Sequence, residues 1–237
     1  MLPEPEIIAL DADDTLWHNE PVFQAVQERF RELLAPYHDA EWIDRRLTET
    51  EKRNLKHFGY GVKGFTLSMV ETAVELTEGR ISGSDIQRIV DWGREMLEHP
   101  VELLDGAAEA VRELAGRHRL MLVTKGDPYD QESKLARSGL GDYFSAVEIV
   151  TEKDARCYRM LTARYAVEPQ RFLMAGNSLR SDVLPVLEIG GVGVHIPYPL
   201  ICSFELVDEE DLRGRQFVRL ESIRELPALL DTPRTYA

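Results

Sequence analysis

The chain has 237 residues, 43% apolar and 30% charged, the balance of a globular protein long enough for one large domain or two smaller ones. Its 42 acidic against 28 basic residues leave a formal charge of −14, which argues against a nucleic-acid or anionic-membrane partner. Cys157 and Cys202 form neither a disulfide framework nor a metal spacing. The acidic MLPEPE start has no signal pattern and no long apolar run follows, so a cytoplasmic protein is expected.

The first predicted element is the apolar run Ile7-Ile8-Ala9-Leu10, which ends abruptly in Asp11-Ala12-Asp13-Asp14-Thr15. So apolar a run reads as a central, buried strand. Alternation sends Asp11 and Asp13 to one face and Asp14 to the other. Two carboxylates 4 Å apart repel by about 4 kcal/mol at an effective dielectric near 20. A fold keeps such a pair where a cation or a shared proton relieves it.

After Trp17 the pattern is helical as far as Pro100. Helices are expected over Glu20 to Leu34, Glu41 to Phe58, Phe65 to Leu76 and Ser82 to Leu97, the last capped by Ser84. Gly59 to Gly64 carries glycines at 59, 61 and 64 and is expected to be a turn. From Leu104 helix and strand alternate. Strands are expected at Arg119 to Thr124, Phe144 to Val150, Phe172 to Ala175 and Gly191 to Ile196, with an edge strand near Phe217 to Leu220. The intervening helices are Gly106 to Gly116, Pro128 to Ser138, one ending near Val167, and Ser181 to Ile189, with Ile223 to Leu230 closing the chain. Tyr198 to Gly214 reads as loop with a turn of helix. Such alternation implies a doubly wound α/β domain on a parallel sheet, with a helical insertion after its first strand.

In a parallel sheet the carboxyl ends of the strands share one edge, where ligands bind. That edge would collect Asp11, Asp13, Thr124, Lys153, Asn177 and Asp182. Asp11 could attack phosphorus and form an aspartyl phosphate, and Asp13 could protonate the leaving oxygen and then deprotonate the attacking water. Thr124 and the amides near Lys125 and Gly126 can hold phosphoryl oxygens. Lys153 can neutralise the phosphate and the nucleophile. Asp182, Asp11 and the Asp13 carbonyl can hold Mg²⁺. Lys125 is open between a substrate contact and an exposed neighbour.

Asp11-Ala-Asp13-Asp-Thr15, Thr124, Lys153 and Gly176-Asn-Ser-Leu-Arg-Ser-Asp182 resemble, in order and placement, the four motifs of the haloacid dehalogenase superfamily. The resemblance implies a Rossmann-like core at 1–17 and 101–237 and an α-helical cap at 18–100. It implies an aspartyl-phosphate mechanism with Mg²⁺ as cofactor and a small phosphorylated metabolite as partner. Asp13 stands where the superfamily's dehalogenases usually carry an aromatic residue and its phosphatases and phosphomutases carry Asp. Phosphomonoester hydrolysis is therefore the leading expectation. A phosphomutase and a non-catalytic binding protein are the alternatives. Caps of this family place a specificity loop over the site, which makes Tyr60, Lys63 and Phe65 candidates for substrate contact beside the reading of a plain inter-helix turn.

The chain departs from the commonest pattern at Asn177, where the fourth motif often has Asp. An amide oxygen still ligates or supports Mg²⁺ but removes one negative charge, so weaker Mg²⁺ binding is expected.

Overall fold

The computed structural model describes residues 4–231; Met1–Pro3 and the last six residues, which the expected core boundaries include, lie outside them. Strand β1 (Ile7–Leu10) is followed by helices α1 (Glu20–Leu34), α2 (Ala40–Phe58), α3 (Val62–Leu76), α4 (Gly83–Glu98) and α5 (Ala107–Ala115). Then come β2 (Arg119–Lys125), α6 (Pro128–Ser138), β3 (Ala146–Val150), α7 (Ala155–Arg164), β4 (Phe172–Gly176), α8 (Leu184–Glu188) and β5 (Val192–His195). The chain closes with α9 (Glu209–Leu212), β6 (Val218–Arg219) and α10 (Leu226–Asp231).

The strands form one parallel sheet in the order β3-β2-β1-β4-β5-β6, an α/β Rossmann-like arrangement. β1 is central, and all four of its side chains are fully buried. Alternation divides them between two apolar layers. Ile8 and Leu10 pack with Val111 and Leu114 of α5 and Leu226 and Leu229 of α10. Ile7 and Ala9 pack with Tyr158 and Leu161 of α7 and Val186 of α8. A strand buried on both faces explains why this text reads as a continuous apolar run rather than an alternating one.

The chain divides into two compact units, Met1–His18 with Val101–Lys125 and Ser133–Ala237, and Asn19–Pro100 with Gly126–Glu132. The second has its own core, in which Phe30 of α1, Ile43 and Leu47 of α2, Met69 of α3 and Trp92 of α4 are buried. Two local expectations are corrected here. The glycine turn ends at Gly61, whose φ of +109° favours glycine, and α3 already begins at Val62 with Gly64 buried in its first turn. Helix α4 is capped by Ser82, whose hydroxyl accepts from the Asp85 amide, and Ser84 lies one turn position inside it.

A third correction lies beside the strand edge. The single helix expected over 181–189 is instead a wide turn, Leu179–Val183, followed by the short α8. Pro185 is the reason: it has no amide hydrogen to donate, so it is accommodated in the opening turn of a new helix rather than inside a longer one. The wide turn carries Asp182.

Candidate active site

β1 sits where the strand order reverses, with β2 on one side and β4 on the other, so the crevice beyond its carboxyl end is the expected ligand position of an open α/β sheet. Asp11 is the first residue past β1, and its amide donates to the Ala175 carbonyl of β4 at 3.0 Å. The chain then turns tightly, with Thr15 and Leu16 amides donating to the Ala12 carbonyl and Asp14 in the left-handed region at φ +59°. The turn brings the Thr15 hydroxyl back to donate to Asp11 Oδ2 at 2.9 Å, while the same hydroxyl accepts from the Asn177 amide at 3.0 Å. Thr15 thus fastens the loop after β1 to the loop after β4.

Lys153, just past β3, is 3% exposed. Its ammonium donates to Asp11 Oδ1 at 2.5 Å and to Asp182 Oδ1 at 2.7 Å. Asp182 Oδ2 accepts from the Ser178 amide at 2.9 Å. Burial lifts the Asp11 carboxyl to about 7; Lys153 opposes the rise, and Asp182 and Asp13 add to it. Burial disfavours the Lys153 charge, but Asp11 and Asp182 outweigh it and hold the ammonium above its ordinary value. Gly176 is what lets the carboxylates approach: a Cβ there would lie 2.2 Å from Asp182 Oδ2 and 2.9 Å from the Asp11 Cβ.

Asp13 is oriented differently from Asp11. Its Oδ1 accepts from the Trp17 indole at 2.7 Å and from Lys134 Nζ of α6 at 3.0 Å. Thr124 is buried at the end of β2. Lys125 beside it donates to Ser181 Oγ at 2.9 Å and to Glu205 Oε1 at 2.5 Å. Glu205 Oε2 accepts from the Ser178 and Ser181 hydroxyls. Burial pulls the Glu205 carboxyl upward, but Lys125 and the two serine hydroxyls outweigh it and hold it below the ordinary range.

The loop and wide turn after β4 therefore join the same edge as Asp11, Thr124, Lys125, Lys153, Asn177 and Asp182. Sequence reasoning missed Lys134, Glu205, Ser178 and Ser181. Lys134 lies mid-helix, where a lysine reads as solvated surface, and Glu205 lies in the stretch left as loop. Tyr60 is half-buried, and exposed Lys63 pairs with Asp127 at 2.9 Å within the helical unit. Phe65 is 3% exposed and packs on Phe23 with ring centroids 5.1 Å apart, so its expected substrate contact is corrected to a place in the helical core.

Among the described residues, no three His, Cys, Asp or Glu side chains are grouped to hold a metal. The donors available are all oxygens: the Asp11 and Asp182 carboxylates, the Asp13 carbonyl and the Asn177 amide. Oxygen donors of this kind, two of them on buried carboxylates, are the type a hard divalent cation takes.

Four polar strand ends meeting at one switch point place the candidate site at the ligand-binding edge of a Rossmann-like sheet. The profile of haloacid dehalogenase-like hydrolases matches residues 5–190, and the chain belongs to that family. It is 42% identical to a haloacid dehalogenase-like family hydrolase from Xanthomonas campestris, whose crystal structure superposes with a TM-score of 0.85 over 96% of this chain and 91% of that one. It is 25% identical over 212 residues to a phosphoserine phosphatase from Thermus thermophilus, covering 75% of this chain and 83% of that protein. The L-2-haloacid dehalogenase of Xanthobacter autotrophicus shares the fold at 16% identity, with a TM-score of 0.65 over 97% of this chain and all of that one.

Proposed function

We propose that this hydrolase is a Mg²⁺-dependent phosphomonoesterase that acts on a small phosphorylated metabolite through an aspartyl phosphate on Asp11. The observation that carries the reading is the pair Asp11 and Asp13 held in separate environments. Asp11 lies against Lys153 and Thr15, and Asp13 against Trp17 and Lys134. Unlike surroundings for two neighbouring carboxyls are what separate nucleophile from acid–base roles. The Thermus thermophilus relative is named a phosphatase, which supports the same class.

In this mechanism an Asp11 carboxylate oxygen attacks phosphorus as the ester P–O bond breaks, and Asp13 gives its proton to the departing alkoxide. Water then attacks phosphorus, Asp13 takes the water's proton, and the acyl–phosphate bond breaks to release inorganic phosphate and the Asp11 carboxylate. Thr124 and the amides that follow it would hold equatorial phosphoryl oxygens, and Lys153 would balance their charge. Asp11, Asp182, the Asp13 carbonyl and Asn177 would hold Mg²⁺, which supplies positive charge to the phosphoryl oxygens and to the ionised nucleophile. Residues 18–100 would serve as the cap, with Tyr60 and Lys63 as its candidate substrate contacts.

The test is hydrolysis of p-nitrophenyl phosphate by wild type and Asp11→Asn, with Mg²⁺ or with EDTA. Turnover that needs both Mg²⁺ and Asp11 supports the reading. Turnover that survives Asp11→Asn sinks the covalent mechanism, and binding of phosphate esters without any turnover would favour a non-catalytic protein.

A further inference from the structure

Between Gly176 and Val183 the sequence has one acidic side chain, Asp182, and position 177 is an uncharged amide. A second carboxylate reaches this segment from outside it. Glu205, on the loop after β5, accepts from the Ser178 and Ser181 hydroxyls on Oε2 and from the Lys125 ammonium on Oε1. Ser178 is where that contact meets Asp182. Its amide donates to Asp182 Oδ2 at 2.9 Å, and its carbonyl accepts from the Asp182 amide at 2.9 Å. Its hydroxyl accepts from the Ser181 amide at 3.0 Å while donating to Glu205. One hydrogen-bonded residue therefore separates the Glu205 carboxylate from the Asp182 carboxylate. Behind the same turn, the buried Tyr158 hydroxyl donates to the Ser181 carbonyl at 2.9 Å.

We propose that Glu205 is a positioning residue for the Mg²⁺ site: it holds the turn that presents Asp182, and it supplies beside that turn the negative charge that Asn177 does not. The inference rests on the Mg²⁺ of the reading above. A tie needed only to fasten the loop after β5 would work with an amide, which is less costly to bury than a carboxylate. The charge has two effects on a cation. Hydrogen bonds made from outside the ligand set orient a ligating carboxylate and tune its affinity. A poorly solvated carboxylate also attracts a nearby dication and offsets the field of the Lys125 ammonium, which opposes it.

Charge and tethering can be separated. Glu205→Gln keeps an acceptor for the serines and for Lys125 but loses the charge. Lys125→Gln keeps the Glu205 charge and removes the cation that offsets it. Asn177→Asp added to Glu205→Gln returns a carboxylate to the same segment by another route. A purely structural tie would shift melting temperature in the first two variants and leave Mg²⁺ affinity alone, and an acid at 177 would not rescue it.

The experiment measures the Mg²⁺ Kd of the metal-free proteins by isothermal titration calorimetry at pH 8, with the melting shift on adding Mg²⁺ as a second reading. Glu205→Gln is expected to raise Kd about tenfold. Lys125→Gln is expected to lower it at least twofold, and the double variant to return to within threefold of wild type. A Glu205→Gln Kd within twofold of wild type, a Lys125→Gln Kd that is unchanged or raised, or no rescue by Asn177→Asp overturns the inference while leaving the cation in place. A wild type that binds no Mg²⁺ by either reading removes the cation from the proposed function and this inference with it. If Glu205→Gln fails to fold by circular dichroism, Lys125→Gln decides the question by the sign of its change.

Discussion

Glu205 accepts a hydrogen bond from Lys125 across 80 residues of sequence, at 2.5 Å, with the two side chains only 16% and 13% exposed. The pair is a tie between the loop after β5 and the end of β2. Through Ser178 and Ser181 it also reaches the turn that carries Asp182. Without Glu205, Lys125 keeps Ser181 at 2.9 Å and Glu152 at 3.4 Å, so the loss is that of one charge-assisted contact, about 1.5–3 kcal/mol. Glu205→Ala is therefore expected to lower the urea midpoint clearly, and Glu205→Gln to lower it less because the amide still reaches the serines. A Glu205→Ala protein as stable as wild type at pH 7 would show the tie to be idle.

The same pair has a pH signature. Lys125 and the serine hydroxyls hold the Glu205 carboxyl below its ordinary value. A carboxyl depressed in the folded state contributes its stability fully above the unfolded value near 4.5, and loses it as pH falls through the folded value. The stability gap between wild type and Glu205→Ala is thus expected to be widest near pH 7 and to close on acidification below about 4.5. Urea titrations at pH 7, 5 and 4 test this; a gap that widens in acid contradicts it.

Gly176 is the point where packing and chemistry meet. A methyl group there would collide with Asp182 Oδ2 and press on the Asp11 Cβ. Gly176→Ala is expected to cost about 1–3 kcal/mol by overpacking. Activity should fall much further, roughly a hundredfold or more, since displacement of about 1 Å at a reacting group costs on that order. Aryl phosphate turnover within threefold of wild type would mean that Asp11 and Asp182 need not approach so closely.

How much of this was written in the sequence follows from how local each signal is. The sheet core was legible because Ile7–Leu10 and Leu120–Val123 are buried on both faces and so carry unbroken apolar text. Asp11, Asp13, Lys153 and Asp182 were legible because each stands within a few residues of a strand end. Phe65 misled, since its place beside a glycine turn said nothing of which side of α3 it faced. Glu205 and Lys134 were silent for another reason. Their roles exist only through partners 80 and 121 residues away, and neither carries a local mark that distinguishes it from solvated surface.

Asn177 sits where a carboxylate would add a charge. Its amide hydrogen is held by the Thr15 hydroxyl at 3.0 Å, and the His195 ring donates to its carbonyl at 3.1 Å, so its backbone is fixed independently of its side chain. Asn177→Asp therefore changes charge with little change of place. It is expected to lower the Mg²⁺ concentration for half-maximal activity several-fold and to tighten Mg²⁺ binding in calorimetry. An unchanged Mg²⁺ requirement by both measures would show that this side chain takes no part in holding the cation.

Mg²⁺ and protons should compete for Asp11. Burial lifts that carboxyl to about 7 in the metal-free protein, while its unfolded value is near 3.8. A carboxyl raised in the folded state retains its proton there after the unfolded chain has lost it. The metal-free protein accordingly loses stability from this group as pH rises from about 4 to about 7. A cation held by Asp11 and Asp182 offsets that penalty, and does so most where the carboxyl is ionised. The stabilisation by Mg²⁺ is thus expected to grow with pH across 6 to 8. At a roughly tenfold excess over Kd it amounts to about 1.4 kcal/mol, or about 3–6 °C for a chain of this size. Thermal melts with and without Mg²⁺ at pH 6, 7 and 8 measure it, and Asp11→Asn should abolish the pH dependence. A Mg²⁺ shift that is constant with pH, or that survives Asp11→Asn intact, would place the cation elsewhere.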